Sequence, residues 1–164
     1  MRAARFERYL RDLLAGSGNL AIKDVMTFGE VGYDSLPNGL QVSFLTGARI
    51  YLQVVRTSPP GGDSLDNPEI IKSGEALALV PEPAFGVENN RVNVKKFEVW
   101  LTARINNSGN SEIQGVRNFQ GKAHRYGIDV VFYNGAHAYV YFPYTLSSGQ
   151  EAGAHPIYEA KEII

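Results

Sequence analysis

Residues 127–144 read GIDVVFYNGAHAYVYFPY and form the most strongly patterned stretch of the chain. Two runs rich in Val, Ile, Phe and Tyr, residue types that favour strands, flank the dipeptide Asn134-Gly135. An Asn-Gly pair favours a two-residue type I′ turn, because both of its residues can reach positive φ. The stretch therefore predicts a long β-hairpin on which the core of the protein forms.

The predicted turn also sets the register of this hairpin. A two-residue loop pairs Phe132 with His137 and Val130 with Tyr139, and directly opposed residues share a face. Apolar and aromatic side chains then fall on both faces, whereas a half-solvated strand alternates apolar with polar residues. We therefore expect both faces to be covered, one by the chain's own core and the other by the same subunit or by a partner. Tyr133 and Tyr139 are candidate partner contacts, since tyrosine combines an apolar body with a polar tip.

Composition describes a folded domain and argues against several functions. A chain of 164 residues with 44% hydrophobic and 20% charged residues is typical of one globular domain. Its net charge of −1 offers no broad basic surface, so we expect no specific nucleic-acid partner. The absence of cysteine excludes disulfides and thiolate chemistry. No run approaches the roughly 20 apolar residues of a membrane span, so no membrane partner is expected.

The N-terminal segment predicts an amphipathic helix over residues 2–15. Its apolar residues recur at the spacing of one helical stripe: Phe6, Tyr9, Leu10, Leu13 and Leu14. The opposite face carries four arginines, among them Arg5 and Arg8. These two are candidate contacts to an acidic partner or to phosphates; the alternative is a solvated face with ordinary i,i+4 ion pairs.

Residues 40–55 predict a second hairpin. Alternating apolar residues on both sides of the turn would share one face if Thr46-Gly47-Ala48 formed a three-residue loop. That loop places Phe44 opposite Ile50.

Two further elements follow in the second half of the chain. Phe97, Leu101 and other apolar residues alternate with polar ones over residues 92–105, which predicts a half-buried strand. Trp100 falls on the polar side, where it either packs under a loop or anchors a partner. Ser111 and Gln114 fit a capping box, which predicts a helix from there to about residue 126.

The remaining segments lack regular periodicity. Residues 57–68, TSPPGGDSLDNP, predict a flexible loop, and residues 69–80 fit either a short helix or a strand. Residues 147–164 read as a C-terminal extension. Its apolar end, Ile163 and Ile164, would dock either on a neighbouring subunit or on the chain's own core.

The motifs of common enzymes are missing. His124, His137 and His155 show no paired ligand spacing, and no nucleophile elbow or dinucleotide-binding glycine motif is present. Asp129 is the one acidic residue in an apolar strand; either its pKa is raised or it lies at an edge or pairs with Arg or Lys. We therefore expect no enzyme and no catalytic, cofactor-binding or metal-binding residue.

Together these elements predict an α+β fold, with a mainly antiparallel sheet built from two hairpins and a long strand and packed by the N-terminal helix and one or two others. Residues 1–146 form the predicted domain, with a flexible loop at about 57–68, and residues 147–164 extend it. The element order resembles tail-terminator and head–tail connector proteins of tailed bacteriophages. Five stretches carry the resemblance, residues 2–14, 40–54, 59–62, 97–105 and 128–142. No signature motif accompanies it, so no residue role is transferred.

The resemblance implies a virion subunit, assembled in the host cytoplasm, that forms a ring, a hexamer, and joins the tail tube to the head. Its partners would be further copies of itself and the tail-tube and neck proteins. The alternative is a non-enzymatic β-sheet binding or adaptor domain for a small ligand or a protein. For the first function the expected contact residues are Arg5, Arg8, Trp100, Tyr133, Tyr139, Ile163 and Ile164.

Overall fold

A computed structural model describes residues 1–119 and 124–164 and shows a six-stranded antiparallel sheet with both helices packed on one face. The α+β prediction with a leading helix is confirmed. The elements are α1 (Ala3–Ala15), β1 (Ile22–Thr27), β2 (Gly39–Phe44), β3 (Arg49–Arg56), β4 (Val87–Glu88), β5 (Arg91–Val92), α2 (Val94–Asn106), β6 (Ile113–Asn118), β7 (Gly127–Phe132) and β8 (His137–Leu146). The strand order is β1-β2-β3-β8-β7-β6, and β4 and β5 form a separate small hairpin.

The β7–β8 hairpin exists as predicted, but its turn does not. The loop has three residues, with Phe132 N donating to Ala136 O at 3.0 Å and Gly135 N to Phe132 O at 2.8 Å. Gly135 has a φ of +82°, while Asn134 keeps a negative φ, so the type I′ turn is excluded. The side chain of Asn134 instead forms two hydrogen bonds: its Oδ1 accepts from Ala136 N, and its Nδ2 donates to Ile70 O.

This turn moves the register by one residue from the predicted one and exchanges the faces of β8. Val130 lies opposite Ala138, and Asp129 lies opposite Tyr139. The inner face is now wholly apolar and buried: Ile128, Val130, Phe132, Ala136, Ala138 and Val140. The outer face carries Asp129, Val131, His137, Tyr139 and Tyr141. The predicted division of side chains between the two faces of β8 was therefore wrong.

The β2–β3 hairpin uses the same three-residue turn. Gly47 has a φ of +84°, and Val42 lies opposite Ile50. The predicted loop, Thr46-Gly47-Ala48, implied a strand register that differs from the observed one by two residues. Because a shift of two preserves side-chain orientation, the predicted apolar face of this hairpin is still confirmed.

The sequence predicts a strand over residues 92–105 and a helix over residues 111–126. The structure has a helix in the first segment and a strand in the second. The first segment contains α2, whose N-cap Asn93 accepts a hydrogen bond from Lys96 N at 2.9 Å. Phe97, Leu101 and Ile105 are fully buried, and their spacing of four fits both an alternating strand and a helix face. The second segment contains the edge strand β6 rather than a helix, and part of the predicted helix lies outside the described residues.

The outer face of the sheet is covered over β1–β3 by the chain itself. Phe28 and Tyr33 pack on Tyr51 and Tyr144 there. The C-terminal extension docks on its own subunit, where Tyr158 donates from its hydroxyl to Gln53 Oε1 at 2.6 Å. At its end, the backbones of Val92 and Ile164 exchange two hydrogen bonds, at 2.7 and 3.0 Å.

Residues 57–86, which we call the arm, contain no helix or strand, so neither structure predicted for residues 69–80 forms. Ion pairs hold the arm to the N-terminal part of α1. The Asp63 side chain is 1% exposed and lies 3.0 Å from Arg2 and 2.7 Å from Arg56. Glu69 pairs with Arg5 at 2.8 Å, and Arg5 also contacts Glu112 on the strand side.

We expect Gly39→Ala to destabilise the protein by about 1–3 kcal/mol, the usual cost of overpacking. A Cβ at Gly39 would clash with the Phe28 ring and with the Leu52 carbonyl. Gly115→Ala in β6 is the matched control, since nothing lies within 4 Å of its added Cβ. Urea denaturation measures both; equal effects would contradict the packing of Phe28 on β2.

We also expect Asp63→Asn to lower stability at neutral pH and to have progressively less effect in acid. A hydrogen bond from Arg2, together with the charges of Arg2 and Arg56, holds the pKa of Asp63 below its ordinary value. A lowered folded-state pKa stabilises the fold above the ordinary aspartate value of about 3.9, and that stabilisation is lost as the pH falls through the folded-state pKa.

The measurement is urea denaturation of wild type and Asp63→Asn between neutral pH and about pH 3, the range that brackets the ordinary aspartate pKa. Asp66→Asn, on an exposed part of the same arm, is the control and should differ little from wild type at any pH. If the difference in free energy of unfolding between wild type and Asp63→Asn stayed constant on acidification, the role of these ion pairs would be refuted.

Candidate functional site

The outer face of β6, β7 and β8 presents a group of aromatic and histidine side chains, which we call the aromatic strip. It arises because alternate residues of β8 point inward, so that the intervening ones point outward. Neighbouring segments complete it. Its members are Phe119, His124, His137, Tyr139, Tyr141 and Tyr158.

Ring contacts make the strip continuous. His137 stacks on Tyr139 with ring centroids 5.6 Å apart and planes inclined by 24°. Tyr141 lies at the centre of the other contacts, 5.3 Å from Phe119 and 4.8 Å from His124. Tyr158 extends the group from the C-terminal segment, 6.2 Å from Tyr141. Offset and edge-on contacts at these distances are favourable for aromatic pairs.

Asp129 lies beneath one end of the strip and has its charge compensated. Arg117 donates to Asp129 Oδ2 from Nη2 at 2.6 Å and from Nε at 2.9 Å. His137 Nδ1 lies 2.7 Å from Asp129 Oδ1. The Asp129 side chain is 6% exposed, whereas that of Arg117 is 69% exposed. Asp129 therefore pairs with an arginine, Arg117 of the edge strand β6, which is one of the readings left open by the sequence.

Tyr141 and Tyr158 of the strip are hydrogen-bond donors at neutral pH. Burial, reinforced by Tyr139 and Asp129, raises the pKa of the Tyr141 phenol. Burial likewise raises the pKa of Tyr158. Protonated hydroxyls on half-buried rings suit a surface that contacts another molecule through both apolar and polar atoms.

Among the described residues, the strip does not place a hydroxyl nucleophile in hydrogen-bond contact with the His137 ring. Asp129 orients His137 through Nδ1, as the acid of a triad would, and this leaves Nε2 for a substrate or a nucleophile. Within the described residues, no Ser, Thr or Tyr hydroxyl forms a hydrogen bond with that nitrogen. Such a histidine can accept or donate a proton, but within the described residues it has no hydrogen-bonded hydroxyl to activate as a nucleophile.

The residues predicted as contacts are distributed over the molecule. Tyr139 belongs to the strip, whereas Tyr133 lies on the arm side and donates to Glu75 O at 2.9 Å. Arg8 is exposed on α1, and Ile163 is 43% exposed. The other three make contacts within the chain: Arg5 in its ion pairs, and Trp100 and Ile164 in the core, at 3% and 4% exposure.

The burial of Trp100 follows from the corrected structure of its segment. On α2 it lies one turn from Phe97 and packs against Phe97 and Phe85, with centroids 5.8 and 5.5 Å away. It is therefore not exposed on this subunit to anchor a partner. Sequence reasoning also missed Phe119, His124 and Tyr158, because their positions along the chain carry no signal that they converge. For His137 and Tyr141 the alternation of β8 did hold a signal, which the incorrect register obscured.

Comparison with known proteins found no matching family model, curated protein or solved structure. Neither helix in the described part of the chain is long and apolar enough to cross a membrane. Among the same residues, no group of three or more His, Asp or Glu side chains is placed to hold a metal ion. A functional inference therefore rests on the geometry of the surfaces.

We expect Asp129→Asn to destabilise the fold by about 1–3 kcal/mol, because it removes the charge that strengthens the bonds from Arg117 and His137 at a buried position. Asp12→Asn, on the exposed side of α1, is the control and should change stability by less than about 0.5 kcal/mol. Urea denaturation at neutral pH measures the difference. Indistinguishable values for the two variants would show that the Asp129 pairs contribute nothing net.

Proposed function

We propose that this chain is a non-enzymatic structural assembly subunit, a ring-forming tail-terminator or head–tail connector protein of a tailed phage. The observation that carries the assembly role is the aromatic strip. Tyrosine is enriched at protein contacts because its rigid ring contributes apolar area and its hydroxyl a hydrogen bond. Half-exposed Tyr139 and Tyr141 beside the exposed Arg117 have the character of such a surface.

The edges of the sheet favour association through side chains rather than through added strands. The ladder of β1 is irregular between Ile22 and Asp24, and that of β6 between Ile113 and Gly115. The charged residues Lys23 and Asp24 are exposed on β1, and Arg117 is exposed on β6. Bulges and charges at an edge oppose strand-to-strand pairing between molecules. The faces and loops of the subunit are therefore the surfaces that suit assembly.

The phage assignment is supported by element order. The leading helix and the two hairpins, which carried most of the resemblance, are present. Residues 97–105, which also carried it, lie in a helix rather than in a strand, so support from that segment is lost. The virion, the ring and the tail-tube and neck partners are all part of the proposal.

The alternative is a monomeric binding or adaptor domain, and one observation favours it. His137 and Tyr139 stack with their rings half-exposed, an arrangement that can hold a planar ligand as well as a protein side chain. Under this alternative the strip binds its ligand within one subunit and the chain does not self-associate. Oligomeric state and the effect of changing Tyr139 therefore separate the two functions.

We expect native mass measurement at micromolar concentration to show a homo-oligomer that also binds tail-tube or neck proteins. Tyr139→Ala should weaken that binding about 30-fold, corresponding to the loss of about 2 kcal/mol typical of a contact hot spot, with little change in melting temperature. Tyr139→Phe, which keeps the ring, should retain most of the affinity.

Two results would argue against the proposal. A strict monomer that binds neither tube nor neck proteins would exclude the assembly role and leave the ligand-binding alternative. If Tyr139→Ala bound the tail-tube or neck proteins as tightly as wild type, the strip would not be the contact surface.

A further inference from the structure

Two surfaces with exposed apolar side chains lie at opposite ends of the sheet. The Gly135 end holds the β7–β8 turn, the N-terminus of α1 and the first half of the arm, since Pro60 lies against Gly135 and Arg2 pairs with Asp63. The Gly47 end holds the β2–β3 turn and the C-terminus of α1. There Leu45 N donates to Ala21 O at 3.0 Å.

At the Gly135 end, the arm faces the body with its backbone. Ile70 O accepts from Asn134 Nδ2 at 2.8 Å, Glu75 O accepts from the Tyr133 hydroxyl at 2.9 Å, and Gly74 N donates to Ser111 O at 2.9 Å. Aliphatic side chains of the same segment point outward instead. They are Leu65 at 82% exposure, Ile70 at 43% and Ile71 at 56%.

A loop that completes the core of its own chain turns its apolar side chains inward, whereas this segment of the arm turns them outward. The polar backbone groups are satisfied inward, while large apolar side chains remain in contact with water. Isolated exposed aliphatic residues are common, but several within one anchored segment mark an interaction surface. The arm thus presents exposed apolar side chains at the Gly135 end.

At the Gly47 end the apolar surface is concave. Leu20 is 87% exposed and Leu45 is 66% exposed, and together they border two adjoining clefts. The first cleft has a volume of about 510 Å³, and Phe85 and Val87 line its apolar wall. The second has a volume of about 650 Å³ and reaches Leu14 at the end of α1. These volumes accommodate several aliphatic side chains.

Both surfaces carry exposed charges of each sign. Lys72 and Glu75 are exposed on the arm, and Lys23 and Asp24 are exposed beside the cleft. Within the described part of the chain, none of the four forms an ion pair. An arm docked in a cleft can bring Lys72 to Asp24 and Glu75 to Lys23. These two attractions favour this orientation over one that places like charges together.

We propose that copies of this chain associate head to tail, with the Leu65–Ile71 part of the arm of one subunit seated in the Leu20–Leu45 cleft of the next. This inference rests on the proposed assembly function and names the contact between its subunits. The two surfaces differ, so the contact is heterologous; it closes into a ring where the rotation per subunit permits and otherwise extends as a filament.

The test uses two double variants of the full chain. The arm variant carries Leu65→Asp and Ile71→Asp, and the cleft variant carries Leu20→Asp and Leu45→Asp. All four side chains are exposed in the subunit, so both variants should fold, as circular dichroism and thermal unfolding will show. Serine replacements at the same positions serve if an aspartate variant fails to fold. Val99→Asp, at an exposed position of α2, is the control.

Sedimentation velocity should show that wild type and Val99→Asp assemble and that each double variant alone is monomeric, with association at least 100-fold weaker. An equimolar mixture of the two variants should form a heterodimer and nothing larger, because one intact arm then meets one intact cleft. A contact of arm with arm or of cleft with cleft cannot produce this result, and assembly of wild type beyond a dimer excludes a reciprocal two-fold exchange of arms.

Assembly of either double variant like wild type would overturn the head-to-tail contact while leaving the assembly function standing. A mixture that remains monomeric while wild type assembles would overturn it as well. A wild type that stays monomeric at about 100 μM, a concentration at which weak contacts still associate, would count against the assembly function itself.

Discussion

The positive φ of Gly135 sets the arrangement on which the sheet depends. A three-residue loop with glycine in its left-handed position pairs Val130 with Ala138, and the alternation of β7 and β8 follows from that pair. A register one residue away would turn Tyr139 and Tyr141 towards the helices and expose Ala138 and Val140. One backbone conformation therefore separates the core from the outer face, and Asn134 secures it by bonding both the turn and the arm.

The arm depends on the same turn. Asn134 holds Ile70, Tyr133 holds Glu75, and Pro60 packs against Gly135, so the turn is also the point at which the arm meets the sheet. Arg2, the N-cap of α1, and Arg5 within α1 hold the arm from the other side. A segment without internal regular structure is thereby fixed between two elements. This arrangement explains how 30 residues can lack helix and strand and still present side chains in defined directions.

Some of this arrangement was predictable from the sequence, because local patterns specify it. The N-terminal helix follows from its apolar stripe, and both hairpins follow from their β-rich runs. The turn registers do not, since Asn134-Gly135 suits two kinds of loop and only packing selects between them. Phe97, Leu101 and Ile105 are four apart, a spacing that satisfies both strand and helix periods. β6 is a strand because it pairs with β7, a long-range interaction that outweighs its resemblance to a capped helix.

The candidate site was less predictable, for a related reason. Tyr139 could be singled out by residue type, but Phe119 and Tyr158 reach the same face from segments on either side of it in sequence. Their convergence depends on the correct register of β8 and on the docking of the C-terminal extension. That extension lies on the outer face, where Tyr158 bonds Gln53 of β3 and contacts His124 of the strip. Because the extension packs on its own chain and leaves the strip half-exposed, the outer face keeps aromatic side chains whose orientation on β8 the Gly135 turn determines.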